Sequence, residues 1–241
     1  MPADAAPPKT VTEFRRRLIR WFRRHGRDLP WRRTRDPYHI VVSEFMLQQT
    51  QVSRVQEYYP RFLARYPTIH DLASASPREV RETWEGLGYY RRAANLHRLA
   101  ATVVEAHAGR VPDDVEGLQR LPGVGRYTAG AVAAFAFERP EPAVDTNVAR
   151  VIRRAFGSKR PMPDRALWAL AARLVPRRRA SAWAFSQAIM ELGALICTAR
   201  VAKCGECPVR AVCRTGSVIS RSVQQGTPRA QRVRQGRKDK Q

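Results

Sequence analysis

The amino-acid sequence predicts an all-α protein. No stretch alternates apolar and polar side chains with the period of two that a half-buried strand requires. Apolar side chains instead recur every three or four residues, as they do on one face of a helix. Glycine and proline divide these segments into helix-sized lengths. A chain of 241 residues is long enough to bury a sizeable core in one or two domains.

The charge balance predicts a polyanionic partner. The chain has 44 Lys and Arg against 21 Asp and Glu, a net charge of +23, and most of the excess is arginine. Nucleic acid is the simplest such partner, although ribosome-type structural binding or binding to a membrane surface would need the same charge. Because the sequence has no membrane-length apolar run and no signal core, we expect a cytoplasmic protein without disulfides.

The first predicted helix follows a Pro- and Ala-rich N-terminus, residues 1–10, that we expect to be disordered. Thr10 and Glu13 have the spacing of a capping box, which predicts the start of the helix. Apolar side chains then repeat on one face, and Gly26 ends the helix. Residues 29–32 read as an extended connector.

A buried helix is predicted over residues 38–52, because apolar side chains surround it on all sides. Glu44 is the one carboxylate within this run. Burial would raise its pKa, as a general acid requires, although a structural carboxylate satisfied by arginine or main chain gives the same pattern. The polar residues Gln48 and Gln49 follow one helical turn later, near the same end of the helix.

Further helices are predicted from the spacing of glycine and proline, at residues 53–65, 68–74, 77–85, 90–107, 113–120, 148–156, 164–175 and 180–196. A glycine-broken turn at residues 86–90 presents Tyr89 and Tyr90 ahead of two arginines. Aromatic side chains in such a turn can stack on bases, but ordinary packing of the tyrosine pair fits equally well.

The segment LPGVGRYTAGAV, residues 121–132, reads as a turn between two helices. Gly123 and Gly125 permit a tight turn, and the amides at the start of the second helix, at Arg126 and Thr128, could hold a phosphate. An αα-hairpin that only packs would look the same. After a proline-rich connection, Asp145 precedes the next helix, where an N-cap is the default role for an aspartate.

All four cysteines fall in one short segment: Cys197, Cys204, Cys207 and Cys213. Four thiolates so spaced could hold Zn²⁺ or an iron–sulfur cluster. Zinc sites usually pair two close knuckles, and only one C-x2-C is present here, so the spacing favours a [4Fe–4S] cluster. Residues 215–241 carry seven basic residues against one acidic residue and read as a disordered basic tail.

These motifs together resemble the helix-hairpin-helix DNA glycosylase superfamily, which includes endonuclease III. The resemblance rests on LPGVGRYTAGAV, on the aspartate of VDTN at 144–147 and on the C-x6-C-x2-C-x5-C pattern. PWR (30–32), SEFMLQQTQV (43–52) and GLGYYRRAANLH (86–97) are most similar to its MutY-type adenine glycosylases. The implied fold has two helical lobes, with DNA in the cleft between them. The implied division is 32–139 for the central domain, 11–31 plus 140–214 for the cluster-bearing domain, and 215–241 for the tail.

The resemblance also implies catalytic roles. Asp145 corresponds to the aspartate that stabilises the oxocarbenium-like sugar, and Asn147 to a residue that supports it. Glu44 corresponds to the acid that protonates the departing adenine at N7. Tyr127 stands where bifunctional relatives have a Schiff-base lysine, so the resemblance implies a monofunctional enzyme.

Several DNA contacts are implied as well. Gln49 and Tyr90 correspond to residues that enter the DNA stack when the base is flipped, with Gln48 beside them, and Arg32 resembles a contact in the adenine pocket. The hairpin contacts would come from Gly123, Gly125, Arg126 and Thr128, with carbonyls placed to share a monovalent cation. The partner would be double-stranded DNA that carries a mismatch or lesion, bound by a monomer.

One departure concerns the preferred base. MutY-type enzymes generally append a Nudix-like domain that reads 8-oxoguanine, and only 28 residues follow Cys213 here. The leading hypothesis is excision of adenine mispaired with guanine or 8-oxoguanine. Excision of thymine or uracil opposite guanine, and non-catalytic DNA binding by a cluster-bearing scaffold, are the alternatives.

Overall fold

A computed structural model of the chain describes residues 7–158 and 161–216. Those residues form eleven α-helices and two short 3-10 turns, Pro30–Arg32 and Arg210–Val212. The helices are α1 Pro8–His25, α2 Pro37–Leu47, α3 Val52–Arg65, α4 Ile69–Ser74, α5 Pro77–Thr83, α6 Arg91–His107, α7 Val115–Gln119, α8 Arg126–Phe135, α9 Thr146–Phe156, α10 Asp164–Leu174 and α11 Arg179–Leu195. The predicted all-α class is therefore confirmed.

Two hydrophobic cores divide these helices into two lobes. The first core runs from Leu29 to Ala143 and contains α2 to α8. The second combines α1 with residues from Val144 to Val209. The N-terminal helix α1 thus packs with the C-terminal part of the chain.

Helix α2 lies at the centre of the first lobe. It contacts α3, α6 and α8, and Val41, Val42 and Met46 are fully buried. Apolar side chains on every face are what a helix enclosed on all sides requires. A polar side chain on such a helix is buried unless it faces a cavity.

The second lobe is built on the contact of α1 with α11. Phe14 of α1 meets the rings of Phe156 and Phe185 edge-on, with ring centroids 4.9 and 6.4 Å apart. Burial of each such ring contributes roughly 1.5–3 kcal/mol. Helix α11 also contacts α9 and, across the lobes, α8. The cleft between the lobes is therefore lined by α2, α8, α9 and α11.

The start of α1 differs from the prediction. The helix begins at Pro8, after Pro7, and no side chain caps it. Proline is favoured at the first helical position because its missing N–H would be unpaired there in any case. The predicted capping box of Thr10 is therefore wrong, since Thr10 lies inside the helix and the Glu13 carboxylate bonds Arg16 and Arg17.

The end of α2 also differs. The predicted helix over 38–52 ends at Leu47, and α3 starts at Val52. Gln49 adopts φ +55° in the left-handed region, which breaks the helix. Apolar periodicity continues across this break, so the pattern alone could not reveal it. The expected extended connector at 29–32 is instead a 3-10 turn, in which the Arg32 amide bonds the Leu29 carbonyl.

The sequence predicts a disordered N-terminus and a disordered basic tail. Most of both segments, residues 1–6 and 217–241, lies outside the described residues. Across residues 7–158 and 161–216, none of the helices combines the length and the apolar character needed to cross a bilayer.

Candidate active site

A cavity of about 220 Å³ opens between the two lobes. Its walls come from the turn before α2, from α2, from the start of α8, from the start of α9 and from α11. Five of the predicted site residues line it together: Arg32, Glu44, Tyr127, Asp145 and Asn147. Residues that are up to 115 positions apart in the sequence thus line the same cavity.

Glu44 is a buried carboxylic acid on α2. It is 4% exposed, and its Oε2 has no hydrogen-bond partner. Burial raises the pKa of Glu44 to about 7, the Tyr127 hydroxyl bonds the carboxylate and lowers the pKa in part, and the Asp145 charge raises it. The group can therefore hold a proton near neutral pH and present it to the cavity.

Asp145 is the second carboxylate of the cavity and also the N-cap of α9. Its Oδ1 accepts a hydrogen bond from the Val148 amide at 2.6 Å, and its Oδ2 accepts one from Asn147 Nδ2 at 3.0 Å. The N-cap role that the sequence suggested by default and the position in the cavity therefore occur together.

Tyr127 lies in the first turn of α8 and lines the cavity with both carboxylates. Burial raises its pKa well above the ordinary value, and the charges of Glu44 and Asp145 add to that shift. The phenol is therefore neutral and can donate its proton to Glu44 as a hydrogen bond.

Two glycines bring the elements of the site together. A Cβ on Gly130 would lie 2.2 Å from the Pro142 carbonyl oxygen, so the chain leading to Asp145 can cross α8 only where a side chain is missing. Gly193 of α11 approaches Asn147 in the same way, at 2.8 Å from its Cβ. Neither glycine was singled out from the sequence, where each reads as a weak helix residue.

Helix α11 contributes a further carboxylate to the cavity wall, Glu191, whose side chain has 0% exposure. Its oxygens accept bonds from Arg27 Nε and Arg32 Nη2, both at 2.8 Å. Burial alone would raise the pKa of Glu191, but the bonds from the two arginines outweigh it and lower the pKa to about 2. The cavity wall therefore holds one glutamate that is ionised and paired with two arginines, Glu191, and one that can be protonated near neutral pH, Glu44.

Arg32 is held in this wall by Glu191 and by Gln187, whose Oε1 accepts from Arg32 Nε at 2.7 Å. Glu191 and Gln187 were missed at the sequence level. The sequence did contain a signal for Glu191: like Glu44, it is the one acidic residue of a largely apolar helix. Its pairing with Arg32, 159 residues away, could not be read from the sequence.

The hairpin turn precedes α8. Gly123 has φ +77°, and Gly125 is the N-cap without a capping side chain. The first amides of α8 therefore have no partner within the helix. Arg126 stacks on the Trp168 ring at 3.8 Å, which links the hairpin to the second lobe. The Thr128 side chain is buried, at 4% exposure, so the expected phosphate contact of this residue would come from its main-chain amide.

The two turns expected to enter DNA lie at the rim. Gln49 is exposed and Gln48 partly exposed, and the neighbouring Thr50 lines the cavity. In the second turn, Tyr89 is the more exposed tyrosine, at 61% against 39% for Tyr90. Tyr90 also packs against Arg81, with the guanidinium 5.0 Å from its ring centroid.

The four cysteines line one cavity near the end of α11. Within residues 7–158 and 161–216, no group of three or more His, Cys, Asp or Glu side chains is arranged to hold a single metal ion. Burial raises the pKa of Cys207 to about 11, and the other three cysteines add to the shift. Two arginines of α9 reach this segment: Arg150 bonds the Cys197 carbonyl at 2.7 Å, and Arg154 bonds the Thr198 carbonyl at 2.7 Å.

The fold and the cavity define a class of protein with two all-α lobes, a hairpin turn and a carboxylate pair at one cleft. The family model described as "HhH-GPD superfamily base excision DNA repair protein" matches residues 42–177. The chain belongs to this superfamily, and the family resemblance drawn from the motifs is confirmed.

Three relatives illustrate the similarity. The chain is 48% identical over 217 residues to an adenine DNA glycosylase of Rattus norvegicus, covering 85% of this chain and 42% of that protein. It is 47% identical to an adenine DNA glycosylase of Mycolicibacterium smegmatis, covering 80% and 66%. It is 42% identical to a thymine-DNA glycosylase of Aeropyrum pernix, covering 84% and 94%. The chain thus spans less than half of the mammalian relative.

Solved structures agree on the fold. A thermostable thymine-DNA glycosylase superposes with a TM-score of 0.82 at 33% identity, over 89% of this chain and all of that one. A non-covalent endonuclease III–DNA complex superposes with a TM-score of 0.76 at 25% identity, over 90% of this chain and all of that one.

Proposed function

We propose that the chain is a monofunctional DNA glycosylase that hydrolyses the N-glycosidic bond of adenine mispaired with guanine or 8-oxoguanine. One observation carries the proposal: Glu44 is buried, has a pKa of about 7 and an unpartnered oxygen, and shares the cavity with Asp145. Breaking a purine–sugar bond needs a proton for the base and a negative charge for the sugar. The cavity offers both.

Glu44 is the proton donor of the proposed reaction. A protonated Glu44 transfers its proton to N7 of an adenine turned into the cavity, and the base then accepts the electron pair of the C1′–N9 bond and leaves as a neutral molecule. The cavity keeps Glu44 protonated near neutral pH because the same burial that excludes water disfavours the carboxylate.

Asp145 stabilises the cation that remains. As the bond breaks, positive charge develops on the sugar ring, and a fixed carboxylate opposite that charge lowers the barrier. Water then attacks C1′ and gives a proton to the Glu44 carboxylate, which restores the acid and leaves an abasic site. Asn147 supports this step by donating to Asp145 Oδ2.

Tyr127 makes the enzyme monofunctional. A phenol cannot form the imine that a lysine amine forms with the opened sugar, so strand cleavage by β-elimination is not expected. The Tyr127 hydroxyl instead acts on the Glu44 carboxyl as a hydrogen-bond donor and lowers its pKa in part.

DNA binding is proposed at three features around the cleft. The uncapped amides at the start of α8 suit a phosphate, and Gln49 and the exposed tyrosines suit insertion into the base stack. The net charge of +23 supplies the general attraction to the backbone. The monovalent cation at the hairpin stays a prediction.

A [4Fe–4S] cluster is proposed at the four cysteines: Cys197, Cys204, Cys207 and Cys213. All four thiols enclose one cavity, while the described residues lack the tight grouping that a single ion needs. This combination suits a larger cluster better than Zn²⁺. The bound cluster would tie the loop after α11 to α9, and metal-bound thiolates would remove the cost of burying free ones.

A thymine or uracil glycosylase is the second candidate. The observation in its favour is the Aeropyrum pernix relative, a thymine-DNA glycosylase that the chain matches over 94% of its length. A pyrimidine has no N7, however, so the base would lack the atom that accepts the proton of Glu44. The buried acid therefore favours adenine.

The test uses purified protein with duplexes that contain A:8-oxoG, A:G, T:G or U:G, followed by alkali to cut at abasic sites. The proposal predicts cleavage at the two adenine mismatches. Cleavage at T:G and U:G alone would support the second candidate, and binding without cleavage on any duplex would indicate a non-catalytic DNA-binding protein.

The cofactor has its own test, which does not depend on activity. Protein purified without oxygen should show broad visible absorbance and contain iron and sulfide, and Cys207→Ser should lose most of both. Bound zinc without iron would contradict the cluster assignment.

A further inference from the structure

A buried arginine connects the end of α2 with the turn before α6. We name residues 48–51 the glutamine turn and residues 86–90 the tyrosine turn. Arg92, in the first turn of α6, is 7% exposed. Its guanidinium donates four hydrogen bonds, and all four acceptors are main-chain carbonyl oxygens. Nε is buried without a hydrogen-bond partner. A buried cation is costly unless most of its donors are satisfied, so the four bonds from the Nη atoms are what makes this position tolerable.

The four carbonyls belong to two separate segments. Nη1 of Arg92 bonds the carbonyls of Phe45 at 2.8 Å and Met46 at 2.7 Å, in the last turn of α2 just before the glutamine turn. Nη2 bonds the carbonyls of Leu87 at 3.2 Å and Gly88 at 3.1 Å, in the tyrosine turn. The helix end carries partial negative charge, so the cation suits it. One side chain therefore joins the end of α2, from which the glutamine turn continues, to the tyrosine turn.

Both turns hold a residue in a conformation that side chains rarely adopt. Gln49 has φ +55° and Tyr89 has φ +47°. Non-glycine residues persist in this region only where the surrounding structure fixes them. The ring of Tyr89 lies above the guanidinium, with Arg92 Cζ 5.5 Å from its centroid, although Tyr89 is 61% exposed. Arg92 thus fixes the main chain of the tyrosine turn and the side chain at its tip.

We propose that Arg92 is a positioning residue that holds the glutamine turn and the tyrosine turn at one separation and so prepares both for insertion into the duplex; this rests on the function proposed above. Arg92 acts before the chemical step, through Gln49 and Tyr89. Lysine in its place keeps the charge but cannot bond four carbonyls in two directions, because it lacks the planar fork of the guanidinium.

The test measures base unstacking apart from base release. A duplex carries 2-aminopurine beside the mismatched adenine, and its fluorescence is followed after rapid mixing with protein. Arg92→Lys should slow the fluorescence rise about tenfold, the equivalent of losing one hydrogen bond to a charged group. On a duplex whose adenine lies in an unpaired bubble, the variant should remain within about twofold of wild type, since little unstacking is left to do.

Two further proteins make the test specific. Arg91→Lys is the matched control: Arg91 is the exposed neighbour, so its variant should unstack at the wild-type rate. In a Tyr89→Ala background, Arg92→Lys should have a much smaller effect than in wild type, because the side chain that it holds is gone. Thermal unfolding of each variant ensures that all rates are measured on folded protein.

Three results would overturn the proposal: unstacking by Arg92→Lys at the wild-type rate, equal slowing on the paired and the bubble duplex, or an undiminished effect in the Tyr89→Ala background. Equal slowing would mean that Arg92 only maintains the fold. Wild-type protein that unstacks the duplex but releases no base would overturn the proposed function instead, and the comparison of Arg92→Lys with wild type would still be valid.

Discussion

Asn147 donates from Nδ2 to Asp145 Oδ2 at 3.0 Å, and its Oδ1 accepts from Arg150 Nη2 at 2.7 Å. The guanidinium can only donate, so it fixes the amide oxygen towards itself and the amide nitrogen towards the carboxylate. Arg150 also bonds the carbonyls of Gly193 and Cys197, both at 2.7 Å. The orientation of Asp145 therefore depends on contacts that reach the cysteine segment.

Arg150→Met should lower kcat for adenine release about tenfold with little change in KM, because Asn147 loses the donor that orients it. Single-turnover kinetics measure the effect. Arg153→Met is the control on the same helix, since Arg153 pairs with exposed Asp164 at the surface. A loss of the same size in both variants would mean that Arg150 has no particular role in the site.

Asp145→Asn should reduce base release about a hundred- to thousandfold, because the charge opposite the sugar cation is lost. Asparagine is an equally good N-cap, so α9 should remain folded and DNA binding should persist. Asp114→Asn makes the same change at the N-cap of α7 and should leave activity intact. Near-normal release by Asp145→Asn would show that the aspartate only caps the helix.

Tyr127→Lys should gain strand-nicking activity. The new amine would enter the cavity that Glu44 and Asp145 line, where it could attack the sugar carbon and form an imine. Borohydride should then trap a covalent protein–DNA adduct with the variant and none with wild type. The absence of any adduct, in protein that still binds DNA, would count against this placement of residue 127.

Glu44→Gln should change how stability depends on pH. The pKa of Glu44 is about 7 in the fold against an ordinary 4.5, so the folded state holds this proton more tightly than the unfolded chain. The contribution of this proton to the free energy of unfolding is complete below pH 4.5 and is lost as the pH rises to 7. The free energy of unfolding should therefore decrease by about 3 kcal/mol over that range.

Glutamine has no such proton to lose. Urea unfolding at acid and alkaline pH should therefore show that the stability of Glu44→Gln increases relative to wild type as the pH rises. Glu57→Gln, at an exposed position, is the control. Parallel pH dependence in Glu44→Gln and wild type would contradict a raised pKa.

Most helices were predictable because each buries one face and ends at glycine or proline. The break after Leu47 was not, since the apolar pattern continues through 38–52 while Gln49 adopts a left-handed conformation. Local periodicity does not encode this break, because the left-handed conformation of Gln49 leaves the apolar pattern unchanged.

The site was predictable where one residue carries the signal. Glu44 stands alone in an apolar helix, and burial is the largest cause of its raised pKa. Glu191 has the same sequence pattern, but its pKa is lowered instead of raised, because Arg27 and Arg32 bond it. That difference depends on partners about 160 positions away, which only the folded chain brings together.

The most direct test of the account is the pH dependence of adenine release in a single turnover. Wild type should lose rate about tenfold per pH unit above pH 7, as Glu44 loses its proton, while Glu44→Gln should be slower by about a hundredfold or more and independent of pH in that range. A wild-type rate that stays constant between about pH 6 and 9, or a Glu44→Gln rate equal to wild type, would contradict Glu44 as the acid.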